Sequence, residues 1–283
     1  MKALLLYNTL SGRGRIRHYV TDIRAIFARA GIDITPREID FRSNPFEGVE
    51  DVELVVVCGG DGTVNFVINT MMSAGLNITL GIIPAGTAND FARAIGMDST
   101  ILGAAHQIAN GTIRRVDCGK ANDKYFVNIL SFGVLTTTSQ HTSNTAKHLI
   151  GKLAYLRTGM VDLLNLRHIP LTLRYNGEEL KIDTAMCLAF NGNSAGQFRL
   201  APKSNIEDGK LDILILDYDN RVRTCWNMMS YLINRESEAV HHLRCESIEL
   251  DCDIDLCTDV DGQPGPKMPL RIECLAGALK IKA

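Results

Sequence analysis

The first third of the chain alternates short apolar runs with helical stripes. Residues 3–7 form a strand-like run of apolar side chains. After a glycine-containing turn, Ile16, Tyr19, Val20, Ile23, Ile26, Phe27 and Ala30 recur at the three- and four-residue steps of one helix face, and Gly31 stands where a C-cap is expected. Residues 53–58 are dominated by valine, the pattern of a strand buried on both faces, and they run directly into Gly59 and Gly60. The pattern then predicts a helix over 64–72, a strand over 79–83 and a helix through Phe91, Ala94 and Ile95. A further stripe, Ile101, Ala104, Ala105 and Ile108, is closed by Asn110 and Gly111. Strand and helix in alternation predict an α/β class, a mostly parallel sheet covered by helices on both faces.

From about residue 115 the character changes to short strands joined by turns, which predicts a second, mostly β, sandwich-like domain. Runs at 171–175 and 178–182 flank Asn176-Gly177, a strong hairpin signal. Further strands are expected at 125–130, 184–190, 211–216, 247–251 and 270–274, with helices at 144–168 and 221–235. The expected division is 1–115 and 116–275.

The length of 283 residues agrees with two domains, since one domain takes roughly 100–200 residues. With 46% hydrophobic and 22% charged residues the composition is that of a globular chain. A formal net charge of -2 gives no overall positive field to draw nucleic acid or an anionic bilayer, so any membrane contact must be local. The first residues lack the apolar region and cleavage site of a signal peptide, and no apolar stretch approaches the roughly 18 residues of a membrane span. A cytoplasmic location is expected. Eight cysteines are scattered through apolar contexts, as reduced buried thiols are, and His241, His242, Cys245, Cys252 and Cys257 fit no common zinc spacing.

The candidate chemistry lies in three polar loops at three strand ends, where open α/β sheets bind ligands. They are Asn8-Thr9-Leu10-Ser11-Gly12, Gly59-Gly60-Asp61-Gly62-Thr63 and Gly86-Thr87-Ala88-Asn89-Asp90. Glycines let a backbone approach a polyphosphate and turn its amides toward it, and the helix that follows adds its positive end. The Rossmann and P-loop fingerprints are both absent. A turn that merely links strand to helix is the competing reading of each loop taken alone.

These residues resemble the diacylglycerol kinase catalytic domain family, which includes soluble bacterial lipid kinases and the sphingosine and ceramide kinases. The resemblance runs in order through Asn8 to Gly12, Gly59 to Asn65, Gly86 to Phe91, Val116-Asp117-Cys118-Gly119, Ala201-Pro202 with Asp208-Gly209, and Asp261-Gly262-Gln263. It implies an ATP-dependent, Mg2+-dependent transfer of a phosphoryl group to a lipid hydroxyl, with 1–115 as the nucleotide domain, 116–275 as the acceptor domain and 276–283 returning to the first. The nucleotide is implied on Asn8, Ser11, Gly12, Gly59, Gly60, Asp61, Gly62, Thr63, Val64, Asn65, Gly86 and Thr87. Asp90 and Asp117 match carboxylates of a magnesium and water network; read without the family, Asp90 is a helix-start carboxylate and Asp117 a turn former. Asn205, Asp208 and Lys210 match a structural metal site, although an Asp-Gly turn entering a strand needs no metal. Related bacterial enzymes imply a homodimer.

The departure from the family is Gln263, which stands where a glutamate is the usual base and which cannot accept a proton at neutral pH. Asp61 or Asp261 is then the candidate base, and Asp61 is favoured. The alternatives are a catalytically weak nucleotide- or lipid-binding regulator and an NAD kinase. No basic stripe supports nucleic-acid binding. Membrane contact is placed on Lys147, Lys152, Arg157 and Arg167 around the apolar stripe of the 144–168 helix, against the plain reading of a core-facing helix with solvated charges.

Overall fold

The computed structural model describes residues 1–14, 16–49, 51–133, 166–194, 200–234 and 237–283. The helix expected over 144–168, with Lys147, Lys152 and Arg157, lies outside the described residues as far as 165; residues 166–168 are not helical, and Arg167 is exposed.

The N-terminal strands are β1 (Lys2–Tyr7), β2 (Asp33–Glu38), β3 (Leu54–Gly59) and β4 (Thr79–Pro84). They pair in parallel in the spatial order β2-β1-β3-β4. Both β3 and β4 are buried along their whole length, which is why they read as unbroken apolar runs. The helices are α1 (Ile16–Arg29), α2 (Asp61–Ser73), the short α3 (Asp90–Ala94) and α4 (Ile101–Asn110). Ile23, Ile26 and Phe27 of α1 and Ala104, Ala105 and Ile108 of α4 join the strands in one apolar core. Because β1 sends its chain to β2 on one side and then to β3 on the other, the strand order reverses between β1 and β3. That reversal opens a crevice beyond their C-terminal ends.

The rest is antiparallel. The strands are β5 (Ile113–Ala121), β6 (Lys124–Phe126), β7 (Ile129–Gly133), β8 (Ile169–Tyr175), β9 (Glu178–Phe190) and β10 (Leu211–Asp217). After α5 (Arg221–Asn234) come β11 (Val240–Cys245), β12 (Ser247–Asp251), β13 (Thr258–Val260), β14 (Gln263–Pro264) and β15 (Leu270–Lys282). The β8–β9 hairpin turns at Asn176 and Gly177, both with positive φ as that tight turn requires. Alternation along β10 sends Leu211, Ile213 and Ile215 into one apolar cluster and Leu214 and Leu216 into another, so both faces of this sheet are covered. β15 pairs antiparallel with β5 and, at Ile281, parallel with Leu80 of β4. Its register shifts between Leu275 and Leu279, and Gly277 takes a φ of 58° there. The family resemblance and the fold agree on an α/β architecture with a β-rich C-terminal part.

Candidate functional site

The first loop and the second meet at the strand reversal. Asn8 N donates to Cys58 O at 3.1 Å, and Asn8 Nδ2 donates to Thr63 Oγ1 at 3.1 Å. Asn8 Oδ1 also accepts from Leu10 N at 2.9 Å, and Ser11 N donates to Asn8 O at 3.1 Å, beginning a single 3-10 turn, Ser11–Gly14. Asn8 is thus a brace between two loops. The Cys58 thiol beneath it is pushed up to about 12 by burial and stays protonated.

Gly60 is the N-cap of α2, and no side chain caps that end. Thr63 N and Val64 N donate to Gly60 O at 2.9 and 3.1 Å, so it is the very start of the helix, at Asp61 and Gly62, that presents donors and positive potential to the crevice. Asp61, the first residue of α2, does not cap its own helix. Its Oδ2 accepts from Asn89 N at 2.7 Å and its Oδ1 lies 3.4 Å from Phe91 N, at the start of α3. Burial, and then the charge of Asp90, raise the Asp61 carboxyl above its usual range against these donors.

The second and third loops pack back to back. A Cβ on Gly86 would stand 2.5 Å from Gly60 Cα, and one on Gly60 would stand 3.1 Å from Gly86 Cα. Only glycine allows that approach. Gly86 N, expected on the nucleotide, is already bonded to Asn89 Oδ1 at 2.8 Å, and Asn89 holds the left-handed conformation that makes this turn. Gly86 therefore serves by close packing. Thr87 beside it is exposed.

Val64 and Asn65, also expected on the nucleotide, face the other way. Val64 is in the apolar core. Asn65 Nδ2 donates to Tyr125 O at 3.2 Å and to Asp261 Oδ2 at 3.0 Å, and its Oδ1 accepts from Asn69 Nδ2. The cause is helical geometry: three and four residues into α2 the side chains point back onto the sheet. Of the expected residues of this segment, those left facing the crevice are the loop and the first turn, Gly59 to Thr63.

Across the crevice, β13 and β14 form a hairpin turning at Asp261 and Gly262, both with positive φ. It sets Gln263 beside the second loop, its Nε2 3.6 Å from where a Cβ on Gly62 would be. Asp261 itself is fully engaged. Its two oxygens accept from Val127 N, Asn128 N, Ile129 N and Asn65 Nδ2 at 2.8 to 3.0 Å. Burial still pushes its carboxyl up to about 6. With four donors on two oxygens, Asp261 holds a loop in place and must give up one of these bonds to take a proton. That disfavours it as the base.

Asp90 is buried, accepting from Arg93 Nη2 at 2.7 Å and from Ser194 Oγ at 3.1 Å. Asp117 is buried too, and its oxygens accept from Gly209 N and Gly277 N, each at 2.7 Å. It ties β5 to the Asp208-Gly209 turn and to the register shift of β15. Sequence reasoning passed over Asn128, Asn191 and Ser194, although the polar run Asn191-Gly192-Asn193-Ser194 at the end of β9 was a usable signal. Asn128 Oδ1 and Asn191 Oδ1 are buried with no hydrogen-bond partner. Asn191 Nδ2 donates to Asp117 O at 3.1 Å, while both carboxylates already accept from protein donors, and among the described residues no group of three or more His, Cys, Asp or Glu is placed to hold a metal ion.

At the expected structural metal site, the Asp208 side chain with the backbone carbonyls of Asn205 and Lys210, the carboxylate is already engaged: Oδ1 accepts from Lys210 N at 3.0 Å, and Oδ2 is paired with the Arg244 guanidinium. A cation of the chain's own thus stands beside the one side-chain ligand of that site. Of the zinc candidates, His241 pairs with Asp217 and His242 with Asp212. Two surface hollows, one lined by Arg174 and Arg271 and one by Arg24 and Ala28, lie away from the crevice.

The family model described as the diacylglycerol kinase catalytic domain matches residues 2–121, and the YegS C-terminal NAD kinase beta sandwich-like domain matches residues 128–283. The chain is 30% identical over 280 residues to a diacylglycerol kinase of Bacillus subtilis (strain 168), covering 95% of this chain and 91% of that one. It is 29% identical over 276 residues to a diacylglycerol kinase of Staphylococcus saprophyticus, covering 95% and 90%. A crystal structure of a Bacillus anthracis str. Sterne protein assigned to the diacylglycerol kinases matches with a TM-score of 0.85 at 27% identity, covering 99% and 94%.

Proposed function

We propose, on the premise that the chain belongs to the diacylglycerol kinase family, that it transfers the γ-phosphoryl group of ATP to the hydroxyl of a diacylglycerol-like lipid with Mg2+. Kinase activity toward a lipid hydroxyl goes with that family. The donor, the metal and the acceptor are the proposal. The observation that carries it is the convergence of the uncapped start of α2, the Gly60–Gly86 contact and Gln263 on one crevice at the strand reversal.

In this reading, residues 1–115 with 276–283 hold the nucleotide and 116–275 hold the acceptor. Amides at Gly59 to Gly62 bind the phosphates, with Asn8 holding that loop through Thr63 Oγ1 and Ser11, Gly12 and Thr87 beside it. Asp61 takes the proton from the acceptor hydroxyl. Its raised carboxyl suits a base working near neutrality, and it accepts from fewer donors than Asp261. Gln263 orients the hydroxyl through its amide. Asp90 and Asp117 would face the cation and its water, and the cation when bound would offset charge on the phosphates. The enzyme works from the cytoplasm on a membrane surface, as a homodimer.

A second reading rests on Gln263 itself: with no glutamate at this position the chain binds nucleotide and lipid but turns over slowly. A lipid panel with labelled ATP and Mg2+ decides between them. Phosphoryl transfer to a diacylglycerol, another glycerolipid or a sphingoid base is expected; binding of ATP with no transfer to any of them favours the slow regulator.

A further inference from the structure

On α5, the side chains of Thr224 and Met228 are buried, and Tyr231 donates its hydroxyl to Leu200 O at 3.1 Å. On the opposite face Val222, Trp226, Met229 and Ile233 are 82%, 74%, 43% and 73% exposed. At about 100° per residue these four fall on one narrow stripe. Arg221 and Arg223 come out on either side of it, and the helix carries no acidic residue. Arg223 pairs with Asp219, while Arg221 has no ion-pair partner among the described residues. Among the other described residues the large exposed apolar side chains, Met1, Leu10, Phe41, Ile113 and Leu180, lie far apart in sequence.

We propose that this stripe inserts into the headgroup region of an anionic bilayer. A tryptophan on an apolar face bordered by arginines is the composition of an interfacial helix. Among the described residues the stripe is four side chains, against the roughly 20–30 residues a side of a stable interface with a second copy. The inner face of α5 reaches the crevice. Tyr231 holds Leu200, Ala201 N donates to Asn193 O, and Ser194 bonds Asp90. Insertion would bring the acceptor side of the crevice to the lipid surface. The inference rests on the lipid acceptor proposed above, but its readout does not.

Trp226 is the chain's one tryptophan, so its fluorescence reports this helix alone. With the full chain and vesicles of phosphatidylcholine and phosphatidylglycerol, the emission should move to the blue and brominated lipid should quench it. Val222→Ser with Ile233→Ser should weaken vesicle binding by about tenfold or more, and Arg221→Gln should reduce the preference for phosphatidylglycerol. Unchanged emission on saturating vesicles overturns the proposal. So does emission from lipid-free protein that shifts with protein concentration, which would mean that a second copy covers the stripe. If Trp226 inserts but the wild-type chain phosphorylates no lipid, docking stands and the kinase reading falls; transfer on vesicles with Trp226 still in water gives the reverse.

Discussion

Asn65 Nδ2 donates to Asp261 Oδ2 at 3.0 Å, across 196 positions of sequence, and so fastens α2 to the hairpin that carries Gln263. The same carboxylate gathers the N–H groups of Val127, Asn128 and Ile129. Burial raises its carboxyl from 3.8 to about 6 even so. A group raised in the folded state contributes stability that is fully present below its unfolded value and lost as pH rises through the folded one. The stability advantage of wild type over Asp261→Asn should therefore be largest below pH 3.8 and narrow by about 3 kcal/mol by pH 7, at ~1.4 kcal/mol per pH unit of displacement. Denaturant unfolding of both proteins across that range checks it; a constant difference would mean that Asp261 does not titrate there.

Asp61 is raised by burial first and by Asp90 second. A base must be ionised, so kcat/KM should climb with pH through a midpoint above the ordinary carboxylate range. Asp61→Asn should lose that limb and about 10²–10⁴-fold in kcat, while its oxygen still accepts from Asn89 N and the fold survives. Gln263→Glu should retain or raise the rate, since it places a carboxylate beside Gly62. Full activity in Asp61→Asn excludes it as the base.

Much of the parallel half was legible because its strands are buried on both faces and end in glycines. β2 was not, since its sequence Asp-Ile-Thr-Pro-Arg-Glu has a proline, three charges and only one fully buried side chain at a sheet edge. The start of α2 was expected at Val64 but lies at Asp61, because Gly60 and Gly62 look like loop residues even where they open a helix. The run over 178–190 was expected as two strands; it is one, β9, with its irregularity opposite Leu216 and Asp217. The three loops of the site were visible as composition. Their division of labour was not, because it is set by contacts remote in sequence: Asp61 turns to Asn89, and Asp117 to Gly209 and Gly277. Likewise the sequence marks 221–235 as a helix but does not tell which of its two apolar faces is covered.

Gly86 tests the packing of the nucleotide loops without touching a titratable group. An added methyl would meet Gly60 Cα at 2.5 Å and Asn89 Oδ1 at 2.8 Å, and neither the backbone nor a side chain already bonded to Gly86 can yield cheaply. Gly86→Ala should cost about 1–3 kcal/mol of stability and, by displacing the loop, raise the KM for ATP more than it lowers kcat. Thermal unfolding and ATP titration check this; an unaltered KM would show that the two loops do not act together.

Arg244 pairs with Asp208 in the turn where the family resemblance implies a metal. The pair is partly exposed, with side-chain exposures of 47% and 20%, so removing it should cost only about 0.2–1 kcal/mol. The informative result is the response to cations. In wild type both Asp208 oxygens are engaged, so EDTA should leave Tm unchanged through this turn. In Arg244→Ala the carboxylate loses its counter-charge while the turn persists through Lys210 N, and Mg2+ or Ca2+ should then raise Tm where it does not in wild type. If EDTA lowers the wild-type Tm, and Asp208→Asn abolishes that drop, the turn holds a metal and the guanidinium is no substitute.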